Sequence, residues 1–387
     1  MRVVSDELDA QVAGTSSGDV LEVHAWRGGA LVAESLAVTS WQLGWDDSRA
    51  VQGQATVTVA DPEGLLAPWG YGDALAPGGT RLQVTWVSGV SDIRVPMGWW
   101  RVRAADPYEQ WRIYTLGDGS VTRVPGGGSV TLRVDEETAT ADLERLDAEV
   151  VTAATCVAEV RRLLGNICPV TVHPDVVDRP VPRSLVYGES RLDAVSDLLA
   201  RLDATYRMGP DGALEVVPAA GVGPVWTLAG GEAGVLVGVE RSLSDEGLYN
   251  AAVSSGETPA GVPLVGRAYL DTGPLAYGGP FGRVPLFHRS IATTQAGVQA
   301  DAATLLANRQ AAGEADLSVT CLTHPGLQLH DVVTVLTPTR VGDEPVVGRV
   351  VAMTMRSAGP VPAKAMTLTV RVSVQALEAI AARVRRG

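Results

Sequence analysis

Met366-Thr367-Leu368-Thr369-Val370-Arg371-Val372-Ser373-Val374-Gln375 alternates apolar and polar residues without a break. Successive side chains of an extended chain point to opposite faces, so this is the pattern of a strand with one buried and one wet face. The same alternation recurs far upstream. In Gln54–Val59, Ala55, Val57 and Val59 lie opposite Gln54, Thr56 and Thr58. In Arg81–Trp86, Leu82, Val84 and Trp86 lie opposite Arg81, Gln83 and Thr85, and Val130, Leu132 and Val134 lie opposite Thr131 and Arg133. Turn clusters separate these runs: Arg27-Gly28-Gly29, Ala76-Pro77-Gly78-Gly79 and Gly117-Asp118-Gly119. Short strands punctuated in this way predict a β domain of barrel or sandwich type over residues 1–135.

From 136 to 222 the period changes. Leu143, Leu146, Val150, Val157, Val160 and Leu164 have helical spacing across 138–165, with Gly165 placed as a C-cap and Pro169 soon after. A Pro-rich connector, Asp178-Arg179-Pro180-Val181-Pro182, leads to a second helix. Its apolar stripe is Leu192, Val195, Leu198, Leu199 and Leu202, with Ser190 as N-cap. A hairpin follows, Thr205–Met208 and Ala213–Val217, turning on Gly209-Pro210-Asp211-Gly212. Residues 223–375 return to β, with strands at 315–322, 331–336, 345–355 and 366–375. One helix is inserted at about 295–311, on Val298, Ala302, Leu305 and Leu306, and the Gly- and Pro-rich stretch 257–290 reads as a long loop. Residues 376–387 form an amphipathic tail carrying Arg383, Arg385 and Arg386. The fold class expected is mainly β with an α+β middle: two β-barrel-like domains flanking a mixed α/β segment.

The 387 residues suit two or three domains, and 46% hydrophobic against 19% charged residues can bury a core. No apolar run approaches the ~18 residues of a membrane span. Met1-Arg2-Val3-Val4-Ser5-Asp6 lacks the basic start and apolar stretch of a signal peptide, so folding in a cytoplasm is expected. Cys156, Cys168 and Cys321 are too few and too scattered for a disulfide framework and read as buried free thiols. The formal net charge is −13, and Lys364 is the only lysine. That balance argues against tight binding of nucleic acid, which needs clustered cations. It does not argue against passage, because a wall that repels phosphate does not trap it.

Enzyme chemistry finds little support. The histidines His24, His173, His288, His324 and His330 form no His-x-x-x-His pair. His324 and His330, with Asp331 adjacent, fall short of the three or four ligands that zinc needs, and read as a solvated turn. There is no Gly-x-Ser-x-Gly; Gly117-Asp118-Gly119-Ser120 reads as a hairpin turn. Gly126-Gly127-Gly128 precedes a strand rather than a phosphate-cradling helix. Asp135-Glu136-Glu137 and Asp245-Glu246 could supply a glycosidase carboxylate pair, but read as solvated charge at element ends. Trp41, Trp45, Trp69, Trp86, Trp99, Trp100 and Trp111 lie in the first β region; packing in a core or subunit interface accounts for them better than sugar binding. In Met97-Gly98-Trp99-Trp100, adjacent tryptophans face opposite ways, so one is expected to look outward to a neighbour. The expectation is no catalytic residue, no cofactor and no metal.

The order of the pieces resembles the hub family of phage tail tips and baseplates, in particular minor tail proteins of actinobacteriophages. Four stretches carry it. They are Val57 to Val87 with Asp61-Pro62-Glu63-Gly64-Leu65-Leu66 and Leu75-Ala76-Pro77-Gly78; Ser190 to Pro218; Tyr249-Asn250-Ala251-Ala252-Val253-Ser254-Ser255-Gly256; and Asp301 to Val335 with His324-Pro325-Gly326-Leu327-Gln328-Leu329-His330-Asp331. The resemblance spans about residues 40 to 375. Similar proteins usually read Gly-Asp where this chain has His330-Asp331.

The resemblance implies a homotrimeric ring at the distal end of a tail tube, each chain supplying two β domains to a six-fold tube through a heterologous, ring-closing contact. The implied partners are sister copies, the distal tail protein or tail tube, the tape-measure protein and other tail-tip or fibre proteins. DNA would pass through the lumen without specific binding. The implied location is the virion tail tip, after assembly in the host cytoplasm. Competing readings are a tail-associated cell-wall hydrolase, a receptor- or carbohydrate-binding tail protein, and the hub of a contractile injection system. The hydrolase reading suffers because the chain ends about 12 residues after its last strand.

Overall fold

The computed structural model describes residues 1–2, 4–14, 19–147, 149–232, 234–245, 247–311, 313–357 and 365–386. The N-terminal region opens with a helix that alternation does not signal, α1 (Asp6–Ala13). Seven strands follow: β1 (Val20–Arg27), β2 (Ala30–Ala33), β3 (Val38–Asp46), β4 (Gly53–Ala60), β5 (Thr80–Val87), β6 (Arg94–Thr115) and β7 (Val121–Glu136). Ala55, Val57 and Val59 of β4 and Leu82, Val84 and Trp86 of β5 are buried, on the face their spacing predicts. Gly126 to Gly128 lie inside β7 rather than before a strand. A Cβ at Gly128 would sit 2.7 Å from the Asp61 carbonyl and 2.9 Å from that of Tyr108, so only glycine fits where β7 passes between two main chains.

The middle segment contains α2 (Thr138–Leu143), α3 (Cys156–Leu164), β8 (Val170–Val172), α4 (Arg191–Ala200), β9 (Ala204–Met208) and β10 (Leu214–Pro218). The expected helix over 138–165 is broken between α2 and α3. The main chain of 149–156 pairs instead with the Pro-rich connector: Tyr187 N–H donates to Glu149 O, Val151 to Leu185 O and Cys156 to Arg179 O. Pairing with a distant segment outweighs local spacing. Thr155 restarts the helix by capping Ala158 N–H. Ser190 caps α4 as expected, and the β9–β10 hairpin turns through Gly212 at φ +83°. Val160, Leu163, Leu164, Leu192, Val195, Leu198, Leu199 and Leu214 close one core, each worth about 1.5–3 kcal/mol on burial. Cys156, Cys168 and Cys321 are buried free thiols.

The remaining elements are β11 (Pro224–Leu228), β12 (Leu236–Arg241), β13 (Ala251–Glu257), β14 (Pro263–Tyr269), β15 (Pro285–Arg289), α5 (Gln295–Ala311), β16 (Glu314–Leu322), β17 (Val332–Thr339), β18 (Gly342–Arg356), β19 (Ala365–Ser373) and α6 (Val374–Arg386). Val374 and Gln375, the end of the alternating run, therefore belong to a helix rather than to the last strand.

The chain divides into two compact units. The first comprises 1–240, 318–338 and 347–370. In it, β18 returns to pair antiparallel with β3, Ala352–Arg356 against Asp46–Gln42. The strand order of the large sheet, β12-β16-β19-β18-β3-β4-β7-β6-β5-β1-β2, is open at both ends, with β17 joining β18 and β11 joining β17. Strand punctuation leaves barrel or sandwich open and the expected domains are barrel-like; among the described residues no sheet closes into a barrel.

The second unit comprises 241–317, 339–346 and 371–387. Its sheet runs β14-β13-β15, with α5 against β13 and β14. The stretch expected to be a long loop thus contains two strands. Asn250 anchors the rest from a fully buried position, which hydrophobic patterning does not register. Its amide donates to Leu275 O (3.1 Å) and Gly282 O (3.0 Å) and accepts from Val284 N–H (2.9 Å). Arg383 pairs with Glu344 at 2.7 Å, tying α6 to the start of β18 within this unit.

Candidate functional site

Sequence spacing predicts a solvated turn from β16 to β17. Instead residues 323–331 are buried throughout. Buried charge must be paired, and it is. The Asp331 carboxylate accepts from Gln328 N–H (2.9 Å), from the Arg207 guanidinium (2.8 Å) and from the Met1 amine. Arg207, on β9, also reaches Glu215 on β10 (2.8 Å) and Leu329 O (3.0 Å). Arg2 donates to the carbonyls of Pro325 (2.9 Å) and Leu327 (3.0 Å) and lies over the Trp45 ring. Burial, reinforced by Arg207, lowers its pKa to about 10.

His330 sits at the centre of this turn at φ +67°, the left-handed region that disfavours a β-carbon. The ring supplies the compensation. A carbonyl can only accept and a guanidinium can only donate. Nε2–H therefore donates to Tyr206 O (3.1 Å), and Nδ1 accepts from Arg349 (2.8 Å), which fixes the neutral Nε2–H tautomer. Burial and the facing Arg349 push the ring's pKa down to about 4. Arg349 is held in turn by Asp47 at 3.2 Å.

His324 and His330 do not share a partner. His324 Nε2–H donates to Asp9 (2.8 Å), its Nδ1 accepts from Gly326 N–H (3.1 Å), and Trp226 packs on its ring. Among the described residues no three of His, Cys, Asp or Glu are placed to hold a metal ion. Glu136 and Glu137 are buried rather than solvated. Glu137 pairs with Arg81 at 2.8 Å, whereas Asp135 pairs with Arg103 at 3.4 Å. Glu136 Oε1 accepts from Gln52 N–H and from the Thr138 hydroxyl (2.8 Å), and burial raises its pKa to about 7. Strand β7 ends in the core, so these acids follow the sheet inward. Asp245 is exposed, and Glu246 lies outside the described residues. Gly117 to Ser120 form the β6–β7 turn, where the Asp118 carboxylate accepts from Ser120. None of these groups forms a nucleophile–base pair.

The tryptophans divide. Trp41, Trp45, Trp86 and Trp100 are core. Of the adjacent pair expected to face opposite ways, Trp100 is core, whereas Trp99 is partly exposed and packs against Trp26, Arg81 and the Gly212 turn of its own chain. Trp69 and Trp111 are exposed.

Two surface features stand out in the first unit. Among the described residues, beyond Arg101 of β6 and Gly128 of β7 these strands pair only with each other and extend as a two-stranded arm. Register places Trp111 beside Pro125 and Thr115 beside Val121 on one face, with Ile113 between them; Ile113 and Val121 are 63% and 62% exposed. Tyr108, Tyr114 and Val124 line the other face, also exposed. The sequence marks only the Gly117-Asp118-Gly119 turn between these strands, and local sequence does not register whether a second layer covers the strands around it. The other feature is an open concavity of about 710 Å³ lined by Gln42, Asp46, Arg49, Gln54, Arg103, Arg133 and Asp135 among others. Its arginines are already paired, Arg49 with Asp46 and Arg103 with Asp135, so it is not a phosphate cradle.

Comparison with solved structures identifies the fold. A tail protein from Neisseria meningitidis superposes with a TM-score of 0.56 at 13% identity, over 91% of this chain and 96% of that one. The 43 kDa tail protein of prophage MuSo2 from Shewanella oneidensis gives 0.55 at 13% identity, over 91% and 98%. A chain of the Francisella PdpA–VgrG complex gives 0.52 at 7% identity, over 93% of this chain and 59% of that one. No protein-family model and no curated protein sequence matches. The chain is mostly β and has the fold of phage tail proteins.

Proposed function

We propose that this chain is a structural tail protein that forms the hub at the distal end of a phage tail tube, as a homotrimeric ring through which DNA passes. The observation that carries the proposal is near end-to-end similarity to two tail proteins, 96% and 98% of their length. The arm adds a physical reason for assembly, because a ribbon with unpaired edges and apolar faces is stabilised by a neighbour. In this reading the chain works by packing, with the distal tail protein or tube, the tape-measure protein and tip or fibre proteins as its other partners. The net charge of −13 suits a wall past which DNA slides. The actinobacterial host rests on the sequence resemblance alone. The test is the mass of the assembled particle: the reading requires three times 40.4 kDa per ring. A chain that stays single when co-produced with its tail partners defeats it.

A second reading keeps the fold and moves it to the hub of a contractile injection system, favoured by the match to the PdpA–VgrG complex. Electron microscopy of particles carrying the chain separates the two readings: a DNA-filled capsid on the tail supports the first.

A further inference from the structure

Among the polar side-chain atoms of the first unit that are buried without a hydrogen-bond partner in the chain are Arg2 Nε, Gln52 Oε1, Glu136 Oε2 and Gln328 Nε2. Each of these residues is more than nine-tenths buried, and all four line one small cavity together with Trp45, Leu329 and Met353. Unsatisfied buried polar atoms are costly, so four in one place call for a common partner.

We infer that this cavity is a binding site for a single structural water molecule that joins the N-terminal segment, the start of β4, the end of β7 and the β16–β17 turn. Size, valence and charge each support the assignment. The cavity volume of about 10 Å³ is that of one water. Arg2 Nε–H and Gln328 Nε2–H donate, while Gln52 Oε1 and, in the ionised carboxylate, Glu136 Oε2 accept. Two donors and two acceptors are what one tetrahedral water satisfies. The Arg2 guanidinium in the wall opposes a cation, and a halide is too large. The inference rests on the packing of this chain and holds whichever particle the chain belongs to.

The test is a crystal structure of the full chain at about 1.5 Å. The expected result is one spherical peak within about 3.2 Å of at least three of the four atoms. An empty cavity overturns the inference. So do Gln52 and Gln328 side chains bonded directly to each other, or a peak with the ~2.0–2.6 Å oxygen distances of a divalent cation. Oxygen-17 relaxation dispersion gives an independent count: Gln328→Leu should hold one fewer long-lived water than the parent, and an unchanged count also overturns the inference.

Discussion

His330 donates its Nε2–H to the Tyr206 carbonyl at 3.1 Å while its own backbone is held at φ +67°. A residue in the strained region of the map thus ties the β16–β17 turn to β9, both within the first unit. A glycine here would avoid the strain; the histidine accepts it and gains two hydrogen bonds.

Replacing His330 separates the two effects. His330→Ala keeps the misplaced β-carbon and loses both ring bonds, so it should destabilise by roughly 2–3 kcal/mol. His330→Gly loses the bonds but relieves the backbone, and should cost about 1 kcal/mol less. Thermal unfolding midpoints of the two variants check the order; Ala equal to or better than Gly contradicts it.

The pH dependence follows from two groups of opposite sign. His330 titrates near 6.5 when unfolded and near 4 when folded. The unfolded chain binds the proton more readily, so this contribution is complete above about 6.5 and is lost as pH falls toward 4. Glu136 titrates near 4.5 unfolded and near 7 folded. Its contribution is complete below about 4.5 and is lost as pH rises toward 7. Each is worth roughly 3 kcal/mol, and between about 4.5 and 6.5 their slopes cancel. Glu136→Gln should therefore reveal an acid-side loss that the parent masks, seen as a steeper fall in stability below about pH 6.5 relative to the parent. Parallel curves for parent and variant rule this out.

Gly128→Ala places a β-carbon against the main-chain oxygens of Asp61 and Tyr108, neither of which can turn aside. A loss of about 1–3 kcal/mol is expected, with the arm displaced at its base. Gly126→Ala meets mainly the flexible Arg112 side chain and should cost less. Equal midpoints for the two variants contradict the steric account.

The arm should matter for assembly and not for folding. Ile113→Asp with Val121→Asp changes two exposed residues, so the unfolding midpoint should shift by no more than about 0.5 kcal/mol equivalent. Ring formation, measured by native mass, should be lost. A ring that forms at parental concentration removes the arm from the interface.

Alternation with period two made β4, β5, the inner half of β7 and β19 legible, because one face of each strand is buried and the other is wet. The stripe on α4, its Ser190 cap and the Gly212 turn were equally local and equally readable. What the residues could not announce is which segments meet. The break between α2 and α3 depends on main-chain bonds to a connector well down the chain, at Arg179, Leu185 and Tyr187. The order in the 257–290 stretch depends on one buried amide, Asn250. Burial of the 323–331 turn, and with it the charge network of Asp331, Arg207 and Arg349, arises only when β9, β10 and the N-terminal residues converge on it. Local sequence determined period and turn chemistry, since these depend on near neighbours; the tertiary structure decided burial and pairing, since those depend on residues far apart along the chain.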